Sequence, residues 1–272
     1  KRTGNAPAGM VIGYDCRAQS DVFAKAVAQV AIGNGIGVQL SNRPCSSPTV
    51  SFAVERSKAA VGIMITASHN PPSFNGLKIK ATYGGSATPD IIKQIEAELA
   101  LITPDDINVD KQSIETVDLI ADYLVQCASL VDLELIRASG FRPVIDPMHG
   151  SGSGMLTKIL MDAGIDSIEI RSERNPYFGG VNPEPIASNM QALFDAVTES
   201  GRDVGICLDG DADRFGACDS HGRFVDCHRL FAVLLKHLTN YRGLTGDVVR
   251  TVSTTRALDK LCANRGIRLI ET

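Results

Sequence analysis

Residues Val204–Asp219 read VGICLDGDADRFGACD, and the fold turns on how this stretch divides. Val204–Leu208 is an apolar run with the length of a buried strand. It runs into the polar loop Asp209-Gly210-Asp211-Ala212-Asp213-Arg214, and Phe215–Asp219 is apolar again. With Arg223–Val225 and a turn at His221-Gly222, the pattern predicts a short hairpin. Carboxylates at alternate positions converge when the backbone curls around one point. Three of them held together repel, and burial would raise their pKa values. A divalent cation removes that conflict, and oxygen donors suit a hard ion such as magnesium. Asp209, Asp211 and Asp213 are therefore candidate metal ligands at the end of a strand.

Other readings of the loop are open. An EF-hand needs Gly at its sixth position and Glu at its twelfth, where this chain has Arg214 and Ser220. A nucleophilic aspartate, as in haloacid-dehalogenase-like phosphatases, would also follow a strand. That family's Thr or Val after the second Asp, and its placement early in the domain, are not seen here. A solvated acidic turn is the plainest possibility.

Outward from this loop, strand and helix signals alternate. Met10–Tyr14, Ile36–Leu40, Val61–Thr66 and Leu77–Ala81 read as strands, with helices at Asp21–Gly33, Pro48–Lys58 and Pro89–Leu101. Thr103–Gln112 is polar and reads as a surface loop, and Ile114–Ser139 reads as one long helix. A second series has strands at Pro143–Asp146 and Ser167–Ile170, helices at Gly152–Ala163 and Asn189–Ser200, and then the opening stretch. A helix at Arg229–Asn240 follows. Asp247–Val252 and Ile267–Ile270 read as strands around a helix at Thr255–Arg265. Alternation of this kind predicts an α/β fold in tandem domains. The expected units are 1–139, 140–243 and the start of a third at 244–272.

A second polar loop also follows a buried strand: Thr66-Ala67-Ser68-His69-Asn70-Pro71-Pro72. A serine at a strand end is exposed and positioned for chemistry. His69 could serve it as a base, although sequence neighbours rarely form such a pair, and no Gly-x-Ser-x-Gly elbow surrounds it. A helix cap or turn residue is the alternative.

Composition bounds the rest. The 272 residues are 44% hydrophobic and 21% charged, ordinary for a globular chain long enough for two cores. A formal charge of −4 and 5% aromatic residues without Trp leave no basic or stacking footprint for nucleic acid, and no apolar run suits a membrane span. The seven cysteines have no C-x-x-C spacing and read as reduced core thiols, so a cytoplasmic location is expected.

Taken together, the loops are recognisable. Thr66–Pro71, with Asn75-Gly76-Leu77-Lys78, resembles the phosphoserine loop of the α-D-phosphohexomutases, and Asp209–Arg214 is similar to their metal loop, with Ala212 where the family often has Gly. Gly13-Tyr14-Asp15-Cys16-Arg17, Asp146-Pro147-Met148-His149-Gly150 and Asn182-Pro183-Glu184-Pro185 also resemble family elements, in family order. The resemblance implies mixed-sheet, three-layer α/β domains and a phosphoglucomutase or phosphomannomutase of the isomerase class. Phospho-Ser68 would exchange its phosphoryl group with a hexose phosphate through a hexose 1,6-bisphosphate. Magnesium would be held by Asp209, Asp211, Asp213 and Ser68. Arg17 and Arg214 would neutralise phosphate, and Arg17 would also help manage the attacking hydroxyl. Lys78 would be an acid/base with a pKa lowered by cationic neighbours, while His69 and Asn70 would shape the loop and touch phosphate. The family's Gly-Thr-x-Gly, sugar-selecting and distal-phosphate elements are not found in the sequence. The chain is thus expected to be a fragment of low activity that leaves the choice of glucose or mannose, and oligomeric state, unstated. A non-catalytic metal- and phosphate-binding unit, and an Asp209-nucleophile phosphatase, are the alternatives.

Overall fold

The computed structural model describes residues 8–272, so the first seven residues of the expected first domain lie outside it. The chain begins with β1 (Met10–Tyr14), α1 (Ser20–Gly33), β2 (Val38–Ser41), α2 (Ser47–Ser57), β3 (Val61–Ile65), β4 (Leu77–Lys80), α3 (Pro89–Leu99) and β5 (Thr116–Val117). The strands form one sheet in the order β4-β3-β1-β2-β5, parallel except for β4. Side chains alternate across β1, as pleating requires. Val11 faces Val50 and Val54 of α2, whereas Ile12 faces Ala24 and Ala28 of α1. Burial of Ser20, Ala24, Ala28 and Ala31 gives α1 a small-residue stripe that lies close on the sheet. Ser46 caps α2 by accepting from the Thr49 amide at 3.2 Å, and Pro48 fits its first turn.

The second unit contains α4 (Ile120–Ser129), α5 (Leu133–Ala138), β6 (Pro143–Asp146), α6 (Met155–Asp162), β7 (Ile168–Glu169), α7 (Gln191–Ser200), β8 (Val204–Leu208), β9 (Phe215–Asp219) and β10 (Phe224–Val225). Its sheet runs β10-β9-β8-β6-β7, with β6, β7 and β8 parallel and the hairpin strands antiparallel. Leu193 and Val197 of α7 cover one face; Leu160 of α6 and Leu133 and Ile136 of α5 cover the other. The order β9-β8-β6-β7 repeats β4-β3-β1-β2. Consequently the serine loop after β3 and the aspartate loop after β8 occupy the same place in two copies of one topology.

One expectation is corrected. Ile114–Ser139 is not one helix. β-Branched Thr116 and Val117 pair with Leu40 and Ser41 as an edge strand, and the Asp118 carboxylate then accepts from the Ile120 amide at 2.8 Å to start α4. Asp132 caps α5 by accepting from the Leu135 amide, which breaks the stretch again. α5 packs on β6 of the second sheet. α8 (Cys227–Lys236) shares a core with α9 (Ala257–Ala263), β11 (Val248–Arg250) and β12 (Leu269–Glu271), where Leu235, Leu258 and Cys262 are buried together. All seven cysteines are free thiols. Among the described residues no helix is long and apolar enough to cross a membrane.

Candidate active site

Two strand ends meet across the domain seam. Ser68 follows β3 with a left-handed backbone (φ 54°), which turns its hydroxyl toward the second domain. There Ser68 Oγ donates to Asp209 Oδ2 at 3.3 Å and accepts from Arg214 Nη2 at 3.2 Å. Asp209 is fully buried; its Oδ1 accepts from the amides of Asp213 and Arg214, and its Oδ2 from the Arg214 guanidinium. Burial and the neighbouring Asp211 charge push the Asp209 carboxyl up to about 6. Asp211 lies below the ordinary carboxylate range: burial would raise it, but the Lys78 ammonium outweighs that. Lys78 Nζ donates to Asp211 Oδ2 at 2.7 Å and Asp213 Oδ2 at 3.1 Å. An open cavity of about 720 Å³ lies in front, lined by Ser68, His69, Asn70, Lys78, Asp213 and Arg214 among others.

The residues fit a divalent cation. One oxygen from each of Asp209, Asp211 and Asp213 lies within 4.8 Å of the others, and Asp211 Oδ1 is buried without a hydrogen-bond partner. A buried, orphaned carboxylate oxygen is costly and calls for a positive partner.

The backbone behind the serine is held by Arg17, which is fully buried. Its Nε donates to Asp15 Oδ2 at 3.1 Å, Nη1 to the carbonyls of Pro71 and Phe74, and Nη2 to those of Ser68 and Asn70 at 2.7 Å. All five guanidinium N–H donors are thereby used. Asp15 in turn accepts from Thr66 Oγ1 at 2.7 Å, and Thr66 Oγ1 accepts from the Ser68 amide at 2.8 Å. The Arg17 guanidinium also stacks on Phe178 of the second domain, 5.0 Å from the ring centroid.

Several expected roles change with this geometry. Arg17, expected to neutralise phosphate and manage the attacking hydroxyl, lies buried behind the serine loop with its donors engaged by Asp15 and the loop carbonyls. The lowered pKa expected for Lys78 is not met: burial pushes it down, but Asp211 and Asp213 more than offset this and hold it above the usual lysine value. His69 is not the partner of Ser68 Oγ, which bonds to Asp209 and Arg214, while His69 Nδ1 is buried without a partner. The Asn70 amide donates back to the Ala67 carbonyl at 2.9 Å, so it shapes the loop. Arg214 and Asp209 meet Ser68 Oγ, with Asp211 and Asp213 beside them. Residues that motif reading passed over include Ser151, whose amide and hydroxyl both donate to the Gly210 carbonyl, at 3.0 and 3.1 Å.

Known proteins share the sequence and fold of this chain. Residues 1–105 match the family model described as phosphoglucomutase/phosphomannomutase, alpha/beta/alpha domain I, and residues 121–222 match the model for domain II. The chain belongs to the phosphoglucomutase/phosphomannomutase family. Among its relatives, a phosphoglucosamine mutase of Salinispora tropica is 34% identical over 269 residues, 96% of this chain and 58% of that protein. A phosphoglucomutase/phosphomannomutase of Thermococcus kodakarensis is 28% identical over 276 residues, all of this chain and 59% of that protein. A Thermus thermophilus crystal structure, described as a phosphomannomutase, superposes with a TM-score of 0.91 at 33% identity, covering all of this chain and 61% of that one. The chain thus spans a little over half the length of the relatives it matches.

Proposed function

We propose that this chain carries the phosphoryl-transfer centre of a sugar-phosphate mutase, with Ser68 Oγ as the phosphate carrier. The observation that carries the reading is the contact of Ser68 Oγ with Asp209 and Arg214 across the domain seam, beside three convergent carboxylates. The substrate class is a hexose or hexosamine phosphate: relatives named for glucosamine stand beside those named for glucose and mannose. In the forward half-reaction a sugar hydroxyl attacks phosphorus on phospho-Ser68. The bond from phosphorus to Ser68 Oγ breaks, the sugar gains a second phosphate, and Oγ takes up a proton. In the second half-reaction Ser68 Oγ gives up its proton and attacks the other phosphate of the bisphosphate; the bond from that phosphorus to the sugar oxygen breaks, Oγ regains a phosphoryl group, and the released sugar oxygen takes up a proton.

Such transfers need positioning and charge stabilisation more than covalent chemistry. Arg17 and Thr66 fix the loop, and Arg214 offers a cationic fork at Oγ. Lys78 Nζ, on the rim of the cavity, is the proposed proton carrier. Asp209, Asp211 and Asp213 would hold magnesium, with Ser68 beside them, and the ion would supply Lewis-acid withdrawal of charge from the phosphoryl group. The aspartate-nucleophile alternative finds no support, because Asp209 is buried with both oxygens engaged.

Incubation with glucose 1,6-bisphosphate and magnesium, followed by intact mass and peptide mapping, tests the reading. One phosphate on Ser68, absent from Ser68→Ala, is expected. A hydroxylamine-labile adduct on Asp209, or no adduct at all, would overturn it.

A further inference from the structure

Ser47 is the first residue of α2, in the first domain, and is completely buried. Its amide donates to the main-chain carbonyl of Asp211, in the second domain, at 2.9 Å. The eleven-residue helix α2 therefore points its positive end at the aspartate loop. The Ser47 hydroxyl has no hydrogen-bond partner, and neither has Asp211 Oδ1. Two buried, unsatisfied, complementary atoms on facing segments are a costly arrangement. Among the described residues only six side-chain atoms share this unsatisfied state, and two of them belong to the residues joined by this backbone bond.

We infer that Ser47 is a positioning residue for the metal site, its hydroxyl orienting the Asp211 carboxylate from across the domain seam. A small rotation of either side chain completes the hydrogen bond and fixes which Asp211 oxygen faces the cation. Lys78 already occupies Oδ2, so the orientation of this one carboxylate decides whether lysine and cation compete or share it. The adjacent Ser46 has a different job: it caps α2 through Thr49. The two neighbouring serines thus serve the helix and the metal loop separately. This inference rests on the metal-site reading proposed above.

The test is direct titration of Mn²⁺, read by electron paramagnetic resonance of the free ion, with no substrate present. Outer-contact substitutions of metal ligands typically weaken binding about 10–100-fold. Ser47→Ala should weaken Mn²⁺ binding about tenfold. Ser47→Gly, which removes the same hydroxyl at a different cost to the helix, should weaken it by the same factor. Ser47→Thr, which keeps the hydroxyl, should retain affinity, and Ser46→Ala should lower the melting temperature while leaving affinity alone. Wild-type affinity in Ser47→Ala, or equal loss in Ser47→Thr, overturns the role of Ser47 but spares the metal site. Failure of the wild-type chain to bind Mn²⁺ overturns the metal site itself.

Discussion

Arg17 holds the serine loop through carbonyls 51 to 57 positions away in sequence, which is why its motif was readable and its task was not. A lysine there offers at most three donors from one point, so at least two of the contacts are lost. Arg17→Lys is expected to slow phosphate labelling of Ser68 by roughly tenfold to a hundredfold, since a misplacement of about 1 Å has that effect. Labelling kinetics, with circular dichroism as the control for folding, would check it; an unchanged rate would refute the positioning role. Asp209 supplies a pH prediction for the metal-free chain. Its folded pKa, raised by burial and by Asp211 to about 6, exceeds the unfolded value of about 3.9. The folded state therefore binds this proton more tightly. The stability so gained is complete below about pH 4 and is lost as pH rises through about 6. Urea midpoints in EDTA should fall across that window, and Asp209→Asn should flatten the fall.

At the level of elements, strands covered on both faces, such as β1 and β8, followed from short apolar runs, and α1 followed from helical spacing of its buried face. The stretch after residue 113 misled because its apolar spacing suits a helix. Pairing of Thr116 and Val117 with β2, and caps at Asp118 and Asp132, override that spacing, and the caps depend on local side-chain bonds. The aspartate loop shows how tightly an element boundary can be drawn. A Cβ on Gly210 would lie 2.6 Å from the Ser68 carbonyl oxygen. Gly210→Ala should force the two loops apart, weakening both Mn²⁺ binding and Ser68 labelling while leaving the helical signal intact; unaltered metal affinity would contradict this. Ala212 is the opposite case. It has φ 52°, in the left-handed region that costs an alanine roughly 1–2 kcal/mol. Part of that is returned to the unfolded chain's entropy when glycine replaces it. Ala212→Gly should stabilise the protein by about 0.5–1 kcal/mol, measurable as a higher urea midpoint with an unchanged slope.

At the scale of the whole molecule, the α/β class and the two loops were legible because each loop follows an apolar strand, a local signal. Which core α5 and α8 join was not, because that depends on packing with residues distant in sequence. The repeated sheet order was visible only as a coarse rhythm, since sequence does not state which strands are neighbours. The seam between the sheets carries a different lesson. Met155 of the second unit is buried among Val11, Val50 and Val54 of the first, while Ser68, Gly210, Ser47 and Asp211 close its polar edge. Three carboxylates crowd that edge against the two cations Lys78 and Arg214. Without a bound cation the mutual repulsion of the carboxylates weakens the edge that Lys78 ties across the seam; with one, the edge adds more to the apolar contact. Calorimetry should therefore count cooperative units differently in the two conditions: two overlapping endotherms in EDTA, one sharper endotherm at saturating Mn²⁺. A single transition in both conditions would mean that the apolar contact alone makes the two sheets melt as one body.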